Sequence, residues 1–263
     1  MGNPQRDRNP NSLRQAETAM ADISKLPRDF VGVLGEIVQK KPEYFADYER
    51  LMLKPTTKPV YSIAGNAELG AGLEAYQKCT GLPLYYSIYR RGVRFIFTSV
   101  TAVTGPKTHI CNLGDAQLAW LRNELASDSK STTIIAFHAP VFETTWRSEH
   151  RESLPFPGSM YLKESAEMRA LFAKYSNIKL YVHGHLHHSY GVRDDFGRGE
   201  YCLADGVLHI SVGATANNRG SSVLFIGTDK ITARVRDHAK RQWRDDFEFT
   251  LPGKTSLTPV PKD

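Results

Sequence analysis

The sequence predicts a mixed α/β fold in which two sheets pack against each other. In the first two thirds of the chain, apolar runs typical of buried strands alternate with amphipathic helical stretches. In the last third, short alternating runs separated by turn residues indicate a mostly antiparallel sheet. No linker or internal repeat interrupts this pattern. We therefore expect one domain over residues 1–263, with a disordered start at 1–10 and a loose tail at 251–263.

The predicted elements begin with an alternation of helix and strand. Residues 11–25 carry apolar side chains at helical spacing, 29–35 is a buried-strand run, and 42–53 has helical spacing again. The later expected elements are strands at 60–64, 84–90, 93–100, 132–138 and 178–182, helices at 115–126 and 163–175, and a long loop at 139–160. The antiparallel runs lie at 200–204, 207–213, 221–227, 230–236 and 245–250.

Composition excludes several classes of protein. The 263 residues are 41% hydrophobic and 24% charged, which excludes a wholly disordered chain, a collagen and a small disulfide scaffold. No apolar run is long enough to predict a membrane span. Three widely spaced cysteines indicate reduced thiols, and the polar start has no signal-peptide pattern, so we expect a cytoplasmic location. A chain that starts late would have lost a signal peptide together with its first strand.

The net charge of +6 is compatible with anionic ligands and also with an ordinary basic surface. No recognised nucleic-acid motif accompanies it, so a nucleic-acid partner is the weakest of the functional hypotheses. The sequence leaves the oligomeric state open.

Polar side chains follow four of the predicted strands. Glu36 and Gln39 follow 29–35, Asn66 follows 60–64, His138 ends 132–138, and a histidine run follows 178–182. Because ligands gather at the carboxyl ends of strands in open α/β sheets, we expect these side chains to share one rim. Oxygen and imidazole donors together suit zinc, manganese or iron.

The histidine run places four imidazoles within six residues, at His183, His185, His187 and His188. In an extended chain, residues two apart point to the same side, so the first three can converge, and Gly184 permits a tight bend. A surface cluster or a hydrogen-bonded core histidine is the alternative reading. Taken alone, His138 fits a core histidine and Asn66 fits a turn residue, but their order after successive strands favours a metal site.

These motifs resemble the calcineurin-like metallophosphoesterases, the superfamily that includes purple acid phosphatases and cyclic-nucleotide phosphodiesterases. Gly184-His185-Leu186-His187 matches the family's Gly-His-x-His motif, and His138-Ala139-Pro140 matches its single-histidine motif. Gly65-Asn66-Ala67-Glu68 resembles Gly-Asn-His-Glu, and residues 35–39 resemble Gly-Asp-x-x-Asp. The resemblance runs over nearly the whole chain. It implies a four-layer α/β/β/α sandwich with two mixed sheets and metals at the strand ends.

The resemblance also implies a ligand set and a cofactor. Asn66, His138 and His185 would hold one divalent ion and be catalytic, Glu36 would stand where an aspartate bridges two ions, and His187 would belong to the other ion. The family's first motif, Asp-x-His or Asp-x-Gln, ends the first strand. Its nearest counterpart here is Asn3-Pro4-Gln5, preceded by two residues, so the first strand is expected to be missing. The implied cofactor is one or two divalent ions of manganese, iron or zinc.

Three further departures from the family pattern weaken the expected site. Glu36 adds a methylene to the bridging acid, Gln39 replaces a second acid, and Ala67 replaces the histidine that helps to protonate the leaving group. General acid catalysis contributes about 10²–10⁴-fold, so this last loss would be heavy. Neutral amides at Asn3 and Gln39 are weak ligands for a hard dication.

Two functional hypotheses follow. The first is metal-dependent hydrolysis of a phosphate mono- or diester in a small phosphorylated substrate, by a site with altered ligands. The second is a catalytically impaired relative that acts as a binding or scaffold module. Arg147 and Arg151, in the loop after His138, are candidates for phosphate binding because a guanidinium suits phosphate, whereas a solvated loop is the plainer reading.

Overall fold

The structure is a computed structural model that describes residues 12–38, 40–105, 109–145, 160–187, 201–213, 215, 220–250 and 258–259. Its α-helices are α1 (Ser12–Ile23), α2 (Phe45–Tyr48), α3 (Asn66–Ala71), α4 (Leu73–Thr80), α5 (Asp115–Ser127) and α6 (Ser165–Lys174). Its strands are β1 (Val31–Leu34), β2 (Val60–Ile63), β3 (Tyr85–Arg90), β4 (Val93–Thr98), β5 (Ala102–Thr104), β6 (Ile110–Asn112), β7 (Thr133–Ala136), β8 (Ile178–His183), β9 (Tyr201–Ala204), β10 (Val207–Ser211), β11 (Gly220–Ile226), β12 (Lys230–Asp237), β13 (Gln242–Thr250) and β14 (Thr258–Pro259).

The largest sheet has six strands in the order β3-β4-β7-β8-β10-β9. Its four inner strands, from β4 to β10, run parallel, while β3 and β9 pair antiparallel at the two edges. A separate parallel pair joins β1 to β2. Because parallel strands end at a common edge, the loops after β7 and β8 emerge beside each other, as do those after β1 and β2.

Two further sheets of the described structure are antiparallel: a four-stranded sheet of β11 to β14, and the pair β5 and β6. The predicted antiparallel pairing of the last third is confirmed for β11 to β13. It is wrong for the runs 200–204 and 207–213, because β9 and β10 belong to the six-stranded sheet, where β10 pairs parallel with β8. The expectation that both sheets are mixed is wrong for the four-stranded sheet. Short turns join β11 to β12 and β12 to β13, and such turns permit only antiparallel pairing. Thr258–Pro259, within the expected loose tail, pair with β13 as a two-residue strand.

Apolar cores lie on both faces of the six-stranded sheet. Ile96 of β4 faces the core shared with α5 and α6, while its neighbours Phe95 and Phe97 face the opposite core, shared with β1, β2 and β12. Successive side chains of a strand point to opposite faces of the sheet, so β4 is buried on both sides. A third core packs α1 and α2 against the other face of β1. The four-layer count itself stays a prediction.

A buried polar network connects α1 with the four-stranded sheet. Asp22 of α1 accepts two hydrogen bonds from the Arg236 guanidinium, at 2.8 and 2.9 Å. The Nδ1 atom of His238 lies 3.0 Å from the same carboxylate, and its Nε2 atom lies 2.8 Å from Oγ of Ser221. Burial raises the pKa of Asp22, but Arg236 and His238 outweigh this and hold the pKa below its usual value. The carboxylate therefore stays charged where α1 meets β12.

Two stretches differ from their predicted form. The predicted helix at 42–53 is helical throughout but changes type, from 3₁₀ at Pro42–Tyr44 to α2 and then to a π-helical turn at Glu49–Leu53. The helices α3 and α4 were not predicted, because Gly70 and Gly72 interrupt the apolar spacing there. Within the described part of the chain, no helix has the length and apolar character that a membrane span requires.

Candidate metal centre

Glu36 reaches the centre through a tight turn after β1. Gly35 has a φ of 86° and Glu36 a φ of 54°, so the chain leaves the strand in the left-handed region. A Cβ added to Gly35 would lie 2.7 Å from both the Gly65 nitrogen and Nδ1 of His138. Only glycine fits this close approach of three chain segments. A non-glycine residue at positive φ, such as Glu36, is typical of strain stored at functional sites.

A buried carboxylate fixes the loops after β1 and β2. The Oε2 atom of Glu68 accepts hydrogen bonds from the backbone N–H of Glu36 at 2.8 Å and of Gly65 at 2.7 Å. Its Oε1 atom accepts one from Val38 at 3.1 Å. Burial raises the pKa of Glu68 to about 7 despite these three donors. Glu68 therefore sets the positions of Glu36 and of Asn66, which follows Gly65.

His138, two residues beyond β7, is held in one orientation. Its Nδ1 atom lies 2.7 Å from the Leu34 carbonyl oxygen, which can only accept, so Nδ1 carries the proton. Burial lowers the pKa of His138, so the ring is neutral and Nε2 presents a lone pair. That Nε2 atom lies 2.8 Å from Oδ1 of Asn66, which is also an acceptor. Two acceptors thus face each other at hydrogen-bond distance.

His185 contributes a third acceptor to the same point. Its Nε2 atom lies 3.0 Å from the His109 carbonyl oxygen, so the proton resides there and Nδ1 carries the lone pair. Nδ1 lies 3.0 Å from Nε2 of His138. Burial lowers the pKa of His185 well below its ordinary value, so neither ring supplies a proton to the gap between them. A cation at this point would satisfy the amide oxygen and both lone pairs.

The residues present fit a divalent ion. Glu36, His138 and His185 are all buried. Each offers one donor atom, and these three atoms lie within 4.8 Å of one another. Two imidazole nitrogens bound tetrahedrally at their usual zinc distance are about 3.3 Å apart, close to the spacing of the two rings. One carboxylate, one amide oxygen and two neutral imidazoles form a donor set for zinc, manganese or iron.

His187 lies beside this group rather than within it. Its Nε2 atom donates to Oε2 of Glu36 at 2.6 Å, and its φ of 50° again marks a strained turn. Burial raises the pKa of Glu36, but the neighbouring imidazoles, His187 foremost and then His138 and His185, together outweigh burial and hold the pKa well below its usual value. Glu36 is therefore a charged carboxylate in contact with both the ligand cluster and His187, while its role between two metal positions stays a prediction.

Other predicted residues lie elsewhere. His183 does not converge with His185, since its Nε2 atom lies 2.8 Å from Oγ1 of Thr145 and its Nδ1 donates to the Gly184 carbonyl. His185 has a φ of 68°, and the Leu186 N–H donates to the Gly184 carbonyl at 2.8 Å, so the chain turns at His185 and the alternation that predicted convergence is broken. Ala67 is buried at the start of α3. Asn3, Gln5, Gln39, Arg147, Arg151 and His188 lie outside the described residues.

A family model agrees with this arrangement. The model for calcineurin-like phosphoesterases matches residues 9–189, a range that includes every candidate ligand from Glu36 to His187. The chain belongs to the calcineurin-like phosphoesterase family. This membership and the candidate ligand cluster support a divalent metal as cofactor, and they support phosphoester hydrolysis in general.

Solved structures show the same fold. A dimetal phosphatase from Danio rerio is 12% identical to this chain, with a TM-score of 0.66 over 91% of this chain and 89% of that one. A purple acid phosphatase from yellow lupin (Lupinus luteus) seeds is 14% identical, with a TM-score of 0.61. The match covers 91% of this chain but only 49% of the lupin chain. No curated protein sequence matches the chain.

Proposed function

We propose that this protein hydrolyses a phosphate mono- or diester with one divalent ion held by Glu36, Asn66, His138 and His185. The convergence of two neutral imidazole lone pairs and an amide oxygen supports this proposal most directly. In a folded interior, mutually facing acceptors are unfavourable unless a cation lies between them. Glu36 supplies the negative charge that such an ion requires.

A bound ion would act as a Lewis acid on the phosphate ester and lower the pKa of a bound water. The protein's own contribution is to hold its donor atoms in place before the substrate arrives. His138 is oriented by the Leu34 carbonyl and His185 by the His109 carbonyl. Such backbone partners fix the tautomer of a metal-binding histidine and strengthen its affinity.

The second candidate function is a binding or scaffold module without turnover. Ala67 favours it, because this methyl group stands at the position where the family has a proton-donating histidine and cannot transfer a proton. A protein that binds metal and phosphate yet turns over no ester would fit this hypothesis. The two functions differ in catalysis, and only the first requires a bound metal.

Metal analysis and a phosphatase assay test the proposal together. Purified protein is analysed for bound metal and then assayed with an aryl phosphate monoester and diester in the presence of Mn²⁺. We expect one equivalent of metal and metal-dependent turnover. Metal without turnover would favour the binding module, and neither metal nor turnover would contradict the proposed hydrolysis.

Two histidine variants locate the centre. We expect His185→Ala to lose bound metal and turnover, because it removes one of the two facing lone pairs. His183→Gln is the matched control, since His183 is equally buried on the same segment but hydrogen-bonds to Thr145 and Gly184. Equal metal loss in both variants would mean that the substitutions disturb the fold rather than the centre.

Restoring a proton donor tests the defect at Ala67. In a metal-loaded protein, Ala67→His should raise the rate of ester hydrolysis, by up to about 10²-fold if protonation of the leaving group limits it. Ala71→His, at the other end of α3, controls for an added imidazole in the same helix. A rate unchanged by either substitution would place Ala67 away from the leaving group.

The substrate class follows from the same proposal. We propose a small phosphorylated molecule as substrate, with Arg147 and Arg151 binding its phosphate oxygens. Replacing both by Gln should raise KM and leave the metal content unchanged. A normal KM in this double variant would assign phosphate binding to other residues.

A further inference from the structure

The segment after β7 carries three consecutive carbonyl groups, from His138 onwards, that all accept hydrogen bonds. The two outer ones accept from the backbone N–H groups of Gly184 and Leu162, at 2.9 and 2.7 Å. The central one, of Ala139, accepts from the Tyr181 hydroxyl at 2.8 Å. Tyr181 is therefore a side chain that fixes the backbone directly after the candidate ligand His138.

Ala139 needs such a donor because the chain leaves the sheet at this point. β7 ends at Ala136, and Pro140 has no backbone N–H with which to continue a strand ladder. The residue before a proline favours extended conformations, so a helical turn that would satisfy the Ala139 carbonyl is disfavoured. Ala139 is fully buried, and a buried carbonyl without a donor is unfavourable. The Tyr181 hydroxyl supplies that donor.

Tyr181 is itself held in place by its neighbours. Its side chain is fully buried, and its ring packs against Phe172 and His209, with centroids 5.9 and 5.4 Å away. Burial raises the pKa of Tyr181 well above its ordinary value, so the hydroxyl keeps its proton and remains a donor. Tyr181 also lies in β8, the strand that leads through Gly184 to the second imidazole, His185. The hydroxyl bond thus joins the two segments that carry candidate histidine ligands.

The spacing of the two imidazoles makes this bond important. Nε2 of His138 lies 3.0 Å from Nδ1 of His185. One ion can reach both lone pairs only while each ring stays close to this position, because metal–nitrogen distances vary little. The Ala139 carbonyl is one residue from His138, so a rotation of its peptide unit displaces the His138 backbone unless neighbouring dihedral angles compensate.

We propose that Tyr181 is a positioning residue of the metal centre, which holds the Ala139 carbonyl and thereby keeps the His138 ring facing His185. Tyr181 acts through the backbone and is not itself a ligand. Without its hydroxyl, the Ala139 carbonyl would turn towards another donor and carry the imidazole out of place. The inference rests on the proposed function, since it takes His138 and His185 as metal ligands.

Co²⁺ binding tests the proposal on the full chain. Co²⁺ alone is the probe, because it accepts nitrogen and oxygen ligands and its visible absorption bands report the coordination geometry. Tyr181→Phe keeps the ring and removes the hydroxyl, so we expect Co²⁺ binding to weaken about 10–100-fold and the bands to change. Tyr86→Phe is the matched control, since the Tyr86 hydroxyl also donates to a backbone carbonyl, that of Ser62, at 2.9 Å. It should leave the affinity and the bands unchanged.

The possible outcomes distinguish this inference from the proposed function. If Tyr181→Phe bound Co²⁺ as tightly as the original protein and with the same bands, the positioning role would be overturned and the proposed function would stand. Equal losses in Tyr181→Phe and Tyr86→Phe would also overturn it, because they would show a general effect of removing a hydroxyl. Absence of Co²⁺ binding in the original protein would overturn the metal centre, and with it both proposals.

A third variant tests whether the donated proton is what matters. Replacing Tyr181 by 4-aminophenylalanine keeps a donor at the same place, so it should restore most of the Co²⁺ affinity that Tyr181→Phe loses. Affinity as low as that of Tyr181→Phe would contradict the proposal. All proteins are compared in one sucrose-containing buffer, which favours the folded state, and circular dichroism checks the folding of each. If Tyr181→Phe does not fold there, a folded 4-aminophenylalanine protein that loses Co²⁺ would still contradict the proposal.

Discussion

Glu68 accepts the backbone N–H of Glu36 at 2.8 Å and that of Gly65 at 2.7 Å through the same carboxylate oxygen. One buried side chain thus joins two loops that carry candidate ligands. Its other carboxylate oxygen accepts the Val38 N–H at 3.1 Å. Since Gln offers a single acceptor oxygen and an NH₂ group, Glu68→Gln must lose either the Val38 bond or the two bonds to the first oxygen. We expect a loss of about 1.5–3 kcal/mol of stability and a marked loss of metal affinity.

Chemical unfolding and metal titration measure both effects of Glu68→Gln. Glu74→Gln on α4 is the matched control, because Glu74 is exposed to solvent. Unchanged metal affinity in a folded Glu68→Gln protein would show that Glu68 does not position the centre.

Two glycines of the same region should respond in opposite ways to substitution by alanine. A Cβ added to Gly35 would lie 2.7 Å from the Gly65 backbone nitrogen and from the His138 ring. The backbone φ of Gly35 is 86°, which would strain any other residue at this position. Gly35→Ala should therefore cost at least about 1–3 kcal/mol and reduce metal binding. A Cβ added to Gly32 would meet no atom within 4 Å, so Gly32→Ala should be neutral or stabilise the fold by about 0.4–1 kcal/mol. Thermal unfolding of the two variants provides the comparison, and equal melting temperatures would contradict it.

His209 should make stability depend on pH. Burial lowers its pKa to about 3, while the ordinary value is 6.5, so the unfolded chain binds a proton in this interval and the folded chain does not. Stability contributed by the neutral ring is complete above pH 6.5 and is lost as the pH falls towards 3. At pH 5 the loss relative to pH 7 is about 2 kcal/mol.

His209→Leu isolates this effect. The ring packs against Phe172 and Tyr181, with centroids 5.5 and 5.4 Å away, so leucine keeps the site apolar. The free energy of unfolding, measured in urea, should differ less between pH 7 and pH 5 in the variant than in the original protein. An identical difference would mean that His209 titrates normally.

Asp22→Asn should weaken the attachment of α1 to the four-stranded sheet. It leaves the Arg236 guanidinium without its buried carboxylate, and breaking such a pair costs about 3–5 kcal/mol. The exposed Arg50–Glu17 pair is the control, since Arg50→Ala should change stability by less than about 1 kcal/mol. If Asp22→Asn and Arg50→Ala lowered the free energy of unfolding in urea equally, this would argue against a special role for Asp22.

The strand pattern predicted the position of the candidate centre because parallel strands end at one edge. Glu36, His138 and His185 were expected on that rim, and the structure brings them within reach of one ion. Their roles as ligands stay predictions. The carbonyl groups of Leu34 and His109 that orient the two rings could not be predicted, because every residue has a carbonyl and only the fold selects which one approaches.

His183 shows a further limit of sequence reasoning. The alternation rule holds only in extended chain, and it fails at His185, where the chain turns. Glu68 belongs to the motif at residues 65–68, and its bond from Gly65 is local. Its other two backbone partners, Glu36 and Val38, lie in a loop that meets Glu68 only in the folded protein. The helices at 66–80 were missed because local glycines obscured an apolar pattern that tertiary packing stabilises.

The contact between Glu36 and His187 joins residues 151 positions apart in the chain. Bringing such distant residues together has a large loop-closure cost and slows folding. The metal centre therefore cannot assemble until β1, β7 and β8 have all docked. Metal uptake should for this reason be among the last events of refolding, and a chain cleaved anywhere between these residues should lose its metal unless its fragments stay associated.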